Sequence, residues 1–148
     1  WVDGYNSTQS GDYNISVILE EATNDTCDDA FLIQTDLPGI PLFYTGNTST
    51  YARNYTGTCG GPARDAVYFF TLDRDAQATF DTSGSSYDTL IYLRRDDCNG
   101  EEIDCDDDSG QGNASLIRPR LRPGDYYLFI DGWGSTSAGE YSLVAIFE

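Results

Sequence analysis

The chain has 148 residues, no histidine, eight basic residues against 25 acidic ones, and a net charge of −17. That length suits one domain of ordinary size, and so acidic a surface excludes nucleic acid as a partner, because phosphate contacts need a basic face. Every basic residue is Arg, so Schiff-base and P-loop chemistry are excluded with the Ser-His-Asp and Cys-His arrangements, and no apolar run of roughly 18 residues predicts a membrane-spanning helix.

Residues 2–20, VDGYNSTQSGDYNISVILE, read as a β-hairpin. One strand ends at Asp3-Gly4, and after a small polar loop a second starts at Gly11-Asp12-Tyr13. Tyr13, Ile15, Val17 and Leu19 then face one way and Asn14 and Ser16 the other, the pattern of a half-buried strand. Thr23 to Ile33 opens on a helix-start signal and predicts one short helical turn near Cys27–Phe31. Leu42–Thr45 is a strand, and Gly46–Gly61, rich in Thr, Asn and Gly, is a long loop. Ala66–Leu72, Ala76–Thr82 and Thr89–Leu93 follow as strands, and Arg95–Gly112 is a wide acidic loop. The sheet resumes at Ser115–Leu121, and the turn Arg122-Pro123-Gly124-Asp125 leads into Tyr126–Asp131. About eight short strands spaced in this way predict an all-β chain, a jelly-roll-like antiparallel β-sandwich with an extra N-terminal β-hairpin.

The extra hairpin arises from an internal repeat. Residues 130–148, IDGWGSTSAGEYSLVAIFE, align with residues 2–20 without a gap at an offset of 128. A fixed period of domain length is the mark of a tandem array. On this reading residues 21–148 are one domain closed by its own C-terminal hairpin. Residues 1–20 are the closing hairpin of a preceding repeat, or one donated to a neighbour. Val2, Tyr13, Ile15, Val17 and Leu19 then form an inter-subunit strand, because an isolated hairpin is marginal in water and its apolar stripe needs another body to cover it.

Four cysteines without a histidine or a C-x2-C pair suit disulfides better than zinc. The short loop between Cys98 and Cys105 predicts that these two pair, which leaves Cys27 with Cys59. Asn-x-Ser/Thr triplets occur at Asn6, Asn14, Asn24, Asn47, Asn54 and Asn113, leaving only Asn99 of the seven asparagines outside one. They predict N-linked glycans on a secreted chain. The acidic loop offers Asp104, Asp106, Asp107 and Asp108 as oxygen ligands for calcium, with Asp88 assisting and Asp28 and Asp131 as weaker options. Tyr126, Tyr127, Trp133 and Tyr141 are read as packing residues rather than as a sugar- or fibre-binding strip.

An ordered set of motifs runs through the body. It comprises Cys27-Asp28-Asp29-Ala30, Asp65-Ala66-Val67-Tyr68-Phe69, Tyr87-Asp88-Thr89-Leu90-Ile91-Tyr92-Leu93, Cys98 and Cys105-Asp106-Asp107-Asp108. Leu121-Arg122-Pro123-Gly124-Asp125-Tyr126-Tyr127, Ile130-Asp131-Gly132-Trp133 and Gly139-Glu140-Tyr141 complete it. The set resembles the bacterial pre-peptidase C-terminal domain family over residues 23–148. That resemblance implies a β-sandwich accessory module of a secreted protein, often in tandem, with relatives on collagenases that bind calcium and substrate fibres. The expected function is a non-catalytic structural repeat unit of an extracellular, glycosylated filament or stalk, joined head to tail to copies of itself through the N-terminal hairpin. The alternative is an accessory module that holds a secreted enzyme on polysaccharide or a collagen-like substrate.

Overall fold

The computed structural model describes residues 23–148. Among the described residues a single 3-10 turn, Cys27–Asp29, precedes ten strands. These are β1 (Phe31–Leu32), β2 (Leu42–Asn47), β3 (Ala66–Leu72), β4 (Ala76–Asp81), β5 (Thr89–Arg95), β6 (Glu102–Asp106), β7 (Leu116–Ile117), β8 (Arg120–Leu121), β9 (Gly124–Gly132) and β10 (Glu140–Phe147). They form two five-stranded sheets. The first runs β1-β3-β9-β5-β6; the second runs β2-β10-β4-β7, with β8 also paired to β4. All pairings are antiparallel except that of β1 with β3. The predicted β-sandwich is therefore the fold.

The burial patterns follow from what covers each sheet. In the second sheet β2 alternates half-buried with exposed residues, and β10 alternates buried with half-buried ones. Only one face of that sheet meets the core. In the first sheet Thr89–Leu93 of β5 is buried without interruption, because this sheet is covered on both faces. The main core lies between the sheets. There Phe70 stacks on Tyr126 with ring centroids 5.2 Å apart and meets Phe147 edge-on at 5.1 Å. Burying a large apolar side chain contributes about 1.5–3 kcal/mol. A second cluster of Val67, Leu90, Tyr92 and Phe129 is covered by Cys27, Tyr55, Cys59, Cys98 and Cys105. Tyr92 and Phe129 stack within it at 4.6 Å.

Two expectations are corrected here. Residues 130–148 are not a hairpin. β9 pairs with β3 and β5 in one sheet, whereas β10 pairs with β2 and β4 in the other. Gly132 still pairs with Thr89, so the segment after it crosses the sandwich instead of turning back. The disulfides join Cys27 to Cys98 and Cys59 to Cys105, with Cα atoms 6.3 and 5.8 Å apart, and not Cys27 to Cys59 and Cys98 to Cys105. The physical reason is β6. Cys105 lies on that strand opposite Tyr92, while Cys98 lies in the turn before it, where Arg94 donates to its carbonyl. The two cysteines closest in sequence therefore meet different covering segments.

Candidate functional site

The acidic corner is built where β5 begins and β6 ends. Asp88 immediately precedes β5, and Asp107 and Asp108 immediately follow β6. One carboxylate oxygen from each of the three lies within 4.8 Å of the others. Asp88 and Asp107 are half-buried and Asp108 is exposed. Asp88 Oδ1 and Asp107 Oδ1 are buried atoms without a hydrogen-bond partner among the described residues. Burial foremost, and then the charges of Asp108, Asp88 and Asp106, pushes the Asp107 carboxyl above its ordinary pKa. A bound cation would relieve that repulsion.

A buried hydroxyl network fixes this corner from below. Ser115 Oγ lies 2.6 Å from the carbonyl oxygens of both Asp107 and Thr89, and its single proton serves one of them at a time. Thr82 and Thr89 share a hydroxyl hydrogen bond of 2.7 Å, and Ser115 N–H donates to Thr82 Oγ1 at 2.8 Å. All three residues are fully buried. Preorganised carboxylates of this kind suit a hard cation, which takes six to eight oxygens from carboxylates, carbonyls and water.

The other predicted ligands have different places. Asp106 is committed to the fold: it accepts from Ser109 N–H at 3.0 Å, Ser109 Oγ at 2.5 Å and Leu116 N–H at 2.8 Å. Asp104 accepts from Cys105 N–H and is not one of the three converging carboxylates. Asp28 is exposed in the 3-10 turn. Tyr126 and Tyr141 are core residues, Tyr127 is half-buried against Phe69, and Trp133 stays half exposed.

Asn47, Asn54 and Asn113 are exposed, with Asn54 Nδ2 donating to the Asp25 carbonyl at 2.9 Å. Asn24 is not. It is fully buried, donates to Tyr141 OH at 3.2 Å and accepts from Tyr51 OH at 2.9 Å. The expectation of sugar there is corrected, because both ends of its amide are used inside the protein. Asn6, Asn14 and the strand residues Val2, Tyr13, Ile15, Val17 and Leu19 lie outside the described residues.

Asp131, a weaker calcium option from the sequence, is not one of the three converging carboxylates; sequence reasoning missed that it forms a buried pair with Asp65. Asp65, just before β3, and Asp131, near the end of β9, are both fully buried. Burial, followed for Asp131 by the charge of Asp65, raises both carboxyls above the ordinary range. The available signal was an Asp inside an apolar run, Leu128-Phe129-Ile130-Asp131-Gly132. No helix among the described residues is long and apolar enough to cross a membrane.

No known family model matches the chain, and no curated protein does. Solved structures do. The pre-peptidase C-terminal domain of collagenase from Bacillus anthracis is similar with a TM-score of 0.53 at 16% identity, covering 78% of this chain and 93% of that domain. The Aeromonas hydrophila protein PliG, a periplasmic inhibitor of g-type lysozyme, is similar with a TM-score of 0.55 at 13% identity, covering 80% of this chain and 96% of PliG. These likenesses show a β-sandwich fold like that of the pre-peptidase C-terminal domain.

Proposed function

We propose that the chain is a non-catalytic accessory module of an extracellular or periplasmic protein, stapled by disulfides and stabilised by calcium at Asp88, Asp107 and Asp108. The observation that carries this reading is the convergence of those three carboxylates, two of them with buried, unpartnered oxygens. Asp88 anchors one side through the backbone, since its carbonyl accepts Trp133 N–H at 3.2 Å. Asp107 and Asp108 supply the other side, and the remaining positions fall to backbone carbonyls and water. Two disulfides in a chain of this size suit an oxidising compartment. The likeness to a domain of a collagenase and to a periplasmic lysozyme inhibitor supports an accessory role and agrees with that location. The test is the thermal midpoint of the whole chain with millimolar calcium and with chelator. Calcium raises it in the native protein and not in the double variant Asp107→Asn, Asp108→Asn; equal midpoints in all four conditions refute the reading.

A second reading, that such modules are arrayed head to tail, rests on β10. Its buried residues Tyr141, Leu143, Ala145 and Phe147 stand opposite Tyr13, Ile15, Val17 and Leu19 in the repeat, and buried Ile130 stands opposite Val2. β10 already has β2 on one side and β4 on the other. A second copy of this strand fits the equivalent slot of another domain, either earlier in a longer polypeptide or in a separate copy of the chain. A filament or stalk follows if the contact propagates without closing. Under this reading Ile15→Asp with Val17→Asp abolishes polymers seen by electron microscopy while the 23–148 domain keeps its circular dichroism spectrum. Polymers that persist in that variant count against it.

A further inference from the structure

The buried carboxylates Asp65 and Asp131 have no part in the acidic corner, and their hydrogen bonds divide in an informative way. Asp65 Oδ2 accepts the backbone N–H groups of Asn54 at 2.7 Å and Tyr55 at 3.1 Å. Asp131 Oδ1 accepts those of Gly132 at 2.7 Å and Ala63 at 3.1 Å. One oxygen of each carboxylate thus organises the loop between β2 and β3. The other oxygen of each, Asp65 Oδ1 and Asp131 Oδ2, is buried without a partner among the described residues. The hydroxyls of Tyr87 and Tyr92 are orphaned in the same way, and both tyrosines feel the charge of the pair.

Two ionised carboxylates in so dry a place repel each other, and each meets a desolvation cost of several kcal/mol. Ala66 pairs with Ile130 across β3 and β9, so Asp65 and Asp131 are cross-strand neighbours, and a positive charge shared between them would relieve the repulsion. Of the charged groups that face the site, Asp25 adds to the repulsion on Asp65, and Glu102, which accepts from Thr58 N–H, acts on Tyr92 with a further negative charge. Arg94 lies over the rings of Tyr92 and Phe129, with its N–H groups committed to the carbonyls of Cys98 and Thr56. Calcium asks for six to eight oxygens, whereas the orphaned atoms here are two carboxylate oxygens and two neutral hydroxyls. A proton needs only the two carboxylate oxygens.

We propose that Asp65 and Asp131 share one proton, and that this proton clasps the loop between β2 and β3 onto the end of β9. The clasp holds Tyr55 and Cys59 over the second hydrophobic cluster, where both pack. Losing the proton sets the two carboxylates against each other and loosens that cover. The burial that raises both carboxyls favours the protonated form. The folded state then binds more protons than the unfolded state. The stabilisation is full below the ordinary carboxylate range and is lost as pH rises through the folded value.

Asparagine at position 131 mimics the proton permanently. Its Oδ1 keeps the bonds from Ala63 and Gly132, while its amide donates to Asp65 Oδ1 at every pH. The thermal midpoint of the whole chain, measured from about pH 5 to about pH 9 in chelator, is expected to fall by several degrees in the native protein and to stay nearly level in Asp131→Asn. A native midpoint that does not fall, or a variant that falls in parallel with it, overturns the proposal. So does calcium that restores the native midpoint at the alkaline end and leaves Asp131→Asn unmoved, since the pair then holds a cation. Should the variant not fold, difference infrared spectroscopy of the native protein replaces it. A protonated-carboxyl stretch that persists at neutral pH and disappears at the alkaline end is the expected result, and its absence at neutral pH overturns the shared proton.

Discussion

Asp106 Oδ2 accepts the backbone N–H of Leu116 at 2.8 Å, which ties the end of β6 in one sheet to the start of β7 in the other. The next residue, Asp107, has an unpartnered buried oxygen. Adjacent aspartates in the same acidic run thus do different work. Asp106→Ala leaves three donors without their acceptor and is expected to cost about 2 kcal/mol in chemical denaturation. Asp107→Asn is expected to change stability in chelator by less than about 0.5 kcal/mol. Equal losses in the two variants would mean that the division of roles is wrong.

The disulfides make a prediction that needs no mutation. Non-reducing digestion and mass spectrometry should recover Cys27 linked to Cys98 and Cys59 linked to Cys105. Removing the second bridge as Cys59→Ala with Cys105→Ala should cost about 2–5 kcal/mol. Recovery of a Cys98–Cys105 peptide would contradict the placement of Cys105 over Tyr92.

Glycosylation should discriminate among the sequons. Expressed in a glycosylating host, the chain is expected to carry sugar at one or more of Asn47, Asn54 and Asn113 and none at Asn24. Asn24→Ala removes the acceptor of the half-buried Tyr51 hydroxyl and one of the two partners of the Tyr141 hydroxyl, which keeps Tyr68, with an expected cost of about 1–3 kcal/mol. A glycopeptide mapped to Asn24 in the folded protein would be incompatible with its burial.

Gly46 sits on β2 opposite Tyr141 of β10, and a Cβ there would overlap the Tyr141 ring. Gly46→Ala should therefore push Tyr141 away from Tyr68 OH and Asn24, lowering stability by about 1–3 kcal/mol. The exposed neighbour Thr45→Ala serves as the control, with little change expected. Parity between the two would show that the strand moves freely to accommodate the methyl group.

The sequence was most legible where one physical signal dominated. Ala66–Leu72 matches β3 residue for residue, because its apolar run is bounded by Asp65 and Asp73. β6 was hidden, since Glu102-Ile103-Asp104-Cys105-Asp106 reads as part of an acidic loop. It is an edge strand, where charged side chains are expected because they block pairing with other chains. The Asp131-Gly132 step imitated a hairpin turn, yet no local feature shows that β9 and β10 belong to opposite sheets. Asp88, Asp107 and Asp108 were legible as candidate ligands by their chemistry. The exclusion of Asp104 and Asp106 from the converging set depends on strand register and on the Ser109 and Leu116 contacts, which composition does not encode.

Isothermal titration of the whole chain with calcium tests the calcium-stabilised module most directly. Saturable binding is expected in the native protein, and its loss when Asp107 and Asp108 are changed to asparagine. Because the Asp107 carboxyl is held above its ordinary pKa by burial and by its acidic neighbours, affinity should weaken as pH falls and protons compete for that oxygen. No binding at millimolar calcium, or binding unaltered in the double variant, would contradict the account.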